Sequence, residues 1–272
     1  MLHERNDDGR VVDPADVPVV ILCGGQGTRI REASERLPKP MIEIGERPVL
    51  WHILKTYHHF GHRRFVLCLG FKAWTIKEFF LNYREQTSDF TLFADGTVET
   101  HNKSNGDDWD VTLVETGLES ETGRRLSLAR EHLGSEHFML TYGDGVADVD
   151  VGAVLQEHVR SGRIGTVTAV HPTSRFGELV YDGDAVTAFA EKPELQSGLV
   201  NGGFFAFRRE FLDYVHDDSA MLERDALQKL TIDGELGIHK HTGFWRGMDT
   251  YREYVELNEL WNSGHAPWKV WS

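Results

Sequence analysis

Two apolar patterns alternate along the first half of the chain. Short unbroken runs, "PVVILCGG", "RFVLCLGF" and "HFMLTYGDG", are β-rich and reach glycine at or near their ends. Continuous apolarity over so few residues marks strands buried on both faces. Between them, apolar residues recur every three or four positions. "RPVLWHILKTYHHFG" places Leu50, Ile53, Leu54 and Tyr57 on one helical face, with Gly61 as a C-cap. "TIKEFFLNY" does the same with Ile76, Phe79, Phe80 and Tyr83, and "VGAVLQEHVRSG" with Val151, Val154, Leu155 and Val159. "RRLSLAREHLG" adds a helix, and "FTLFA" and "DVTLVETG" add strands. Strands alternating with helices predict parallel pairing through crossover helices.

After about residue 165 the pattern changes. "GTVTAV", "GELVYD", "AVTAFAE" and "GGFFAFRR" are closely spaced strands with turn signals between them. Helices are expected around Met221 to Thr231 and from Tyr251 to Asn262, with "LGIHKH" as a strand between. This half reads either as extra strands of the same sheet or as a lid over it. With no low-complexity linker and no internal repeat, one continuous mixed α/β unit is the simpler arrangement.

Composition narrows the function classes. The chain has 272 residues, 40% apolar and 26% charged, which suits an ordinary soluble globular protein with a sizeable core. A formal net charge of −14 argues against general binding to nucleic acid or anionic membrane, leaving room only for a local basic cleft. No apolar run reaches the roughly 18 residues of a membrane span. The opening "MLHERNDDGRVVDPAD" lacks the basic and apolar regions of a signal peptide, reads as a tail over residues 1–17, and leads us to expect a cytoplasmic protein. Cys23 and Cys68 each sit inside an apolar strand and read as buried thiols rather than a disulfide.

The chemistry-bearing stretches are few. "VVILCGGQGTRI" is a strand running into a glycine loop, where backbone N–H groups can approach phosphate oxygens. A dinucleotide fingerprint would need a third glycine where Ile30 stands, and no lysine follows to make a Walker A loop. Arg29 and the proline-flanked Lys39 of "LPKPM" then supply the charge, an arrangement suited to a triphosphate. The plain alternative is a strand–helix turn with exposed cations. In "TYGDGVADVD", Asp144 ends a buried strand at the ligand edge of the sheet, where Mg²⁺ could take it with phosphate oxygens. Asp148 and Asp150 are expected to start the next helix. Asp249 in "GFWRGMDT" is either a second metal carboxylate or a helix N-cap. Glu191 and Lys192 in "AEKP" could meet a sugar and a phosphate or form a surface ion pair. Asn201 in "NGGFF" could do likewise or mark a hairpin turn. His58 and His62, and His239 and His241, lack a recognised metal spacing and read as surface residues.

The residues "LCGGQGTRI…LPKPM" resemble the signature of the sugar-1-phosphate nucleotidyltransferases. "YGDGVAD", "GFWRGMDT" and the tryptophan-rich tail "LWNSGHAPWKVW" are similar to its glucose-1-phosphate cytidylyltransferase branch, and the likeness runs from about residue 18 to the C-terminus. It implies a Rossmann-like nucleotidyltransferase fold: α/β, with a mixed, mainly parallel central sheet and helices on both faces. It also implies a single domain over 18–272, with a nucleotide-binding part to about 164, a sugar-phosphate part to about 250 and a C-terminal helix and tail over 251–272. The implied reaction joins CTP and glucose 1-phosphate into CDP-glucose and pyrophosphate with Mg²⁺. Leu22, Cys23, Gly24, Gly25, Gln26, Gly27, Thr28 and Arg29 would cradle the nucleotide, with Lys39, Ser120, Arg125 and Gly143. Arg29, Lys39 and Asp144 would be catalytic, and Asp144 and Asp249 would bind the metal. Glu191, Lys192 and Asn201 would face the sugar phosphate. Gln26 stands where leucine is usual, near the base site, and keeps UTP, dTTP or GTP, or another sugar phosphate, open. A nucleotide-sugar binding protein without catalysis is the remaining alternative. The family forms oligomers, so a homo-oligomer is expected, with Trp268 and Trp271 either at an interface or packed on the core.

Overall fold

β1 (Val19–Leu22) is buried on both sides, as an unbroken apolar strand must be: Val19 and Ile21 join one core cluster, Val20 and Leu22 the other. The structure, a computed structural model, describes residues 12–25, 37–101, 107–172, 178–182, 185–190, 198–215 and 221–271. Following β1 come β2 (Glu43–Ile44), β3 (Arg47–Pro48), α1 (Val49–His59), β4 (Arg64–Leu69), α2 (Ala73–Leu81) and α3 (Tyr83–Thr87). Next are β5 (Asp89–Leu92), β6 (Val98–His101), β7 (Asp110–Glu115), α4 (Thr122–Leu128), β8 (His137–Tyr142), β9 (Gly145–Ala147) and α5 (Val151–Ser161). The later part contains β10 (Gly165–Val170), β11 (Glu178–Asp182), β12 (Ala185–Ala190), β13 (Val200–Arg208), α6 (Ala226–Ile232), β14 (Leu236–Lys240), β15 (Trp245–Gly247) and α7 (Tyr251–Asn262).

Seven strands form the central sheet in the order β14-β10-β13-β8-β1-β4-β7. β1 pairs parallel with both β4 and β8, β4 with β7, and β10 with β14. β13 runs antiparallel to β8 and β10, which makes the sheet mixed but mainly parallel. Helices α1, α2, α5 and α7 pack on one face through Leu50, Ile53, Ile76, Val154 and Leu257. α4 and α6 pack on the other through Leu126, Leu227 and Leu230. The expected α/β fold with helices on both faces is therefore present.

The later half divides between two sheets. β10, β13 and β14 lengthen the central sheet, whereas β11 and β12 form a separate two-stranded sheet. The helix expected from Met221 starts only at Ala226. Tyr83 begins a new helix rather than extending α2, because Asn82 at the junction turns its side-chain amide back onto the Glu78 carbonyl at 2.8 Å. β5 overlaps the expected strand "FTLFA", whereas β6, β9 and β15 were too brief or too polar to be legible as separate strands.

Trp268 and Trp271 are buried, so the tail closes on the core rather than standing free. The Trp268 indole N–H donates to His52 Nδ1 at 3.3 Å, and His52 Nε2 meets the Ile44 carbonyl at 3.0 Å. One neutral tautomer of His52 satisfies both bonds. Cys23 and Cys68 are free, buried thiols, as expected. His62 departs from its surface reading. It is fully buried, with Nδ1 3.1 Å from the Val17 carbonyl, because Gly61 turns the chain back under the sheet at φ +96°.

Burial holds His52 and His62 down to about 4 and His158 down to about 3. In the unfolded chain each takes a proton near pH 6.5. Their contribution to stability is complete above that pH and is lost as pH falls toward the folded values. The unfolding free energy should therefore decline steadily from pH 7 to pH 4 in urea titrations. A His62→Asn variant should show a shallower slope, by up to about 1.4 kcal/mol per pH unit, whatever its absolute stability.

Candidate active site

The C-terminal ends of parallel strands in an open α/β sheet face the ligand crevice, most of all where the chain departs from a central strand to both sides. β1 is that strand here, with Leu22 opposite Tyr142 at the end of β8. Gly143 follows, and its N–H donates to the Leu22 carbonyl at 3.1 Å. A Cβ on Gly143 would lie 2.9 Å from that oxygen and 3.0 Å from Pro40 Cγ, so only glycine lets the Lys39–Met41 turn close over the strand ends. That turn is a 3₁₀ turn entered through Pro38 at φ −66°, and its first residue is Lys39.

Asp144 and Asp249 are brought together by a ladder of three residue pairs. β9 and β15 pair antiparallel with Gly145 opposite Gly247, and the Met248 N–H donates to the Asp144 carbonyl at 2.8 Å. Thr250, not Asp249, caps α7, in a capping box with Glu253. Glu253 Oε2 accepts from the backbone N–H of both Asp249 and Thr250 at 2.8 Å. With the cap supplied by its neighbour, the Asp249 carboxylate faces Lys39 instead. Lys39 Nζ lies 2.6 Å from Asp144 Oδ2 and 2.6 Å from Asp249 Oδ1. Burial alone would lower the Lys39 pKa, but the two carboxylates outweigh it and hold the ammonium above its ordinary value.

Leu22, Cys23, Gly24, Gly25, Lys39, Ser120, Arg125, Gly143, Asp144 and Asp249 all line one cavity of about 330 Å³. Ten expected residues from distant parts of the chain thus meet at one place. Gln26, Gly27, Thr28, Arg29, Glu191 and Lys192 lie outside the described residues. Asn201 is exposed at the start of β13 and is not part of the cavity lining. Its amide reaches Tyr142 Oη at 3.4 Å and its Oδ1 accepts from the Gly203 N–H at 2.8 Å.

Arg125 contributes to this cavity in a particular way. Nη1 donates to Leu69 O at 3.1 Å, Thr116 Oγ1 at 2.7 Å and Gly117 O at 2.8 Å. Nη2 donates to Gly24 O at 3.1 Å and Leu118 O at 3.3 Å. The guanidinium braces the loops that leave β1, β4 and β7, and burial lowers its pKa. A Cβ on Gly24 would fall 2.0 Å from its Cζ, so the glycine loop begins directly on this brace.

Glu121, Thr122 and Tyr142, which had no sequence signal of their own, also line the cavity, as does Pro40 of the proline pair that flanks Lys39. Tyr142 Oη donates to Glu223 Oε1, and Thr122 Oγ1 donates to Glu223 Oε2 at 2.9 Å. Asp150 does cap α5, accepting from the Ala153 N–H at 2.8 Å, but Asp148 instead pairs with His241 at 2.9 Å. His58 pairs with Asp108 and His239 with Glu157. Among the described residues no group of three His, Cys, Asp or Glu side chains is placed to hold a metal. Asp144 and Asp249 are two carboxylates that share Lys39 rather than such a group.

A model of the nucleotidyl transferase family matches residues 18–263. The glucose-1-phosphate cytidylyltransferase of Salmonella typhi is 44% identical over 254 residues, covering 93% of this chain and 98% of that protein. The mannose-1-phosphate guanylyltransferase catalytic subunit beta of Drosophila melanogaster is 26% identical over 240 residues, covering 87% of this chain and 60% of that protein. Among solved structures, HddC from Yersinia pseudotuberculosis complexed with GMP-PN superposes with a TM-score of 0.64 at 23% identity, covering 90% of this chain and 99% of that one. That likeness is one of fold.

Removing the Arg125 brace deletes five hydrogen bonds that tie the ends of three loops together. Arg125→Met is expected to cost about 2–4 kcal/mol of unfolding free energy in urea denaturation. Arg125→Lys should recover only part of it, since one ammonium cannot span three loop ends.

Proposed function

The chain belongs to the nucleotidyl transferase family, and from that premise we propose that it transfers a cytidylyl group from CTP to α-D-glucose 1-phosphate, releasing pyrophosphate and forming CDP-glucose. The observation that carries this reading is the Lys39–Asp144–Asp249 cluster at the strand-end cavity, combined with 44% identity to a protein of that name.

The chemistry required is modest in one respect and demanding in another. An oxygen of the sugar phosphate attacks the α-phosphorus, and the bond from that phosphorus to the pyrophosphate oxygen breaks. A phosphate monoester is already a competent nucleophile at pH 7, so no strong general base is needed. The barrier lies in bringing two anions together and in the charge that builds on the leaving group. Lys39 would meet the triphosphate from the floor of the cavity. Arg29 would add a planar fork of donors from the glycine loop. The backbone N–H groups from Gly24 onward would hold the phosphates in line, since the absence of a Cβ permits close approach.

The residues fit a divalent cation. Asp144 and Asp249 already hold one positive charge between them, the Lys39 ammonium, which stands in for such an ion. Mg²⁺ held by these two carboxylates would offset charge on the nucleotide phosphates. Glu191, Lys192 and Asn201 remain the residues we assign to the sugar phosphate. Asn201 is supported by its link to Tyr142, which lines the cavity. A homo-oligomer belongs to the same reading. The β5–β6 ribbon supports it, with Phe90, Leu92 and Val98 exposed and Leu92 directly opposite Val98. Among the described residues no helix is long and apolar enough to cross a membrane.

A panel of CTP, UTP, dTTP and GTP against glucose 1-phosphate and mannose 1-phosphate, read by pyrophosphate release, tests the substrates. The highest kcat/KM is expected for CTP with glucose 1-phosphate. A higher value for another pair overturns the base or sugar assignment, and no release with any pair overturns the activity. Lys39→Ala and Asp144→Ala should each lower turnover by about 10²-fold or more while the protein stays folded by circular dichroism.

A further inference from the structure

Asp144 Oδ2 and Asp249 Oδ1 each lie 2.6 Å from the same nitrogen, Lys39 Nζ. A magnesium ion bonded to those two oxygens would sit about 2.0–2.1 Å from each. The ammonium and the metal would then lie within a few ångströms of each other with like charge on the same two acceptors, so the two compete for these oxygens. The backbone spacing of the two aspartates does not depend on the lysine, because the ladder Gly145–Gly247 and the Met248-to-Asp144 hydrogen bond set it. The lysine backbone is equally fixed, between Pro38 and Pro40, but its four-carbon stem can swing. Its side chain lines the cavity and is 12% exposed, so the ammonium has somewhere to go when an anion enters.

We propose that Lys39 is a resident cation in the metal position, holding the Asp144–Asp249 pair closed to a divalent ion until nucleotide phosphates draw the ammonium into the cavity. This rests on the reading of Asp144 and Asp249 as the metal-binding pair. Its consequence is an order of events. The free protein binds a divalent ion weakly, and metal and nucleotide enter together. The lysine therefore does two jobs with one charge, keeping two adjacent carboxylates compensated in the free protein and meeting the triphosphate in the complex. An uncompensated pair would strain the resting site, and a pair already filled by tightly bound metal would leave the lysine facing a like charge.

The test is Mn²⁺ titration, followed by electron paramagnetic resonance of the free ion, on the full chain without nucleotide. Lys39→Met keeps the length of the side chain and removes the charge. It should bind Mn²⁺ about tenfold or more tightly than the wild type, the scale expected when one like charge a few ångströms away is removed. Its thermal midpoint should also rise with Mn²⁺ by more than that of the wild type. Lys39→Arg keeps a cation and should stay as weak as the wild type. Lys39→Met/Asp144→Asn should lose the gain. Lys39→Gln is the second variant should Lys39→Met not fold. Equal Mn²⁺ affinity in the wild type and the folded neutral variant overturns the resident-cation role, whatever the catalytic outcome. If the wild type instead shows neither pyrophosphate release nor any Mn²⁺ binding in the presence of CTP, the reading of the site itself fails.

Discussion

The contact between the Lys39 ammonium and the two carboxylates joins residues 105 and 210 positions apart in the chain. Each partner arrives by a different device. Asp144 is delivered by the end of β8, one residue beyond a glycine that could not be replaced without a clash. Asp249 is delivered by the ladder between β9 and β15, and it is free to face the lysine because Thr250 and Glu253 take over the capping of α7. Lys39 is delivered by a turn stiffened on both sides by proline. Without Lys39 the two carboxylates lose the ammonium they share, and without either aspartate the lysine loses one of its two partners.

The cluster also shows how an acidic protein holds a cation at its cavity. Its formal charge is −14, so positive charge has to be concentrated rather than spread. Lys39 is kept protonated by its carboxylate neighbours, which outweigh the effect of burial. Arg125 shows a different use of charge close by. Its guanidinium is matched to backbone carbonyls of three loops rather than to a carboxylate, which makes it a brace for the cavity wall. A flat fork with five donors can tie several strand ends at once, and an ammonium could not.

Much of the fold could be read directly. The apolar runs of β1, β4 and β8 and the helical faces of α1 and α5 were visible because each is a local periodicity with a period of its own. α7 begins and ends where the residue pattern placed it, from Tyr251 to Asn262. What escaped notice was short or nonlocal. β9 and β15 are three residues each and gain meaning only as partners. His62 looked like a surface residue in "YHHFGH" because its burial depends on a turn at Gly61 and on Val17, 45 positions away. Glu223 lies in a polar stretch without a motif, yet it reaches both Tyr142 and Thr122.

The sequence by itself determined the residue types available for the chemistry: a glycine loop after a first buried strand, one lysine between prolines, and two aspartates at strand ends. It left Asp249 with two readings, because a carboxylate before a helix is the same carboxylate whether it caps or binds. Only the tertiary structure decided which residue caps. It gave the cap to Thr250, aimed Asp249 at Lys39, and tied Arg125 to the carbonyls of three loops at the cavity wall. The physical reason is that propensity and periodicity act over a few neighbouring residues. The direction of a side chain is set by what the rest of the chain packs against it.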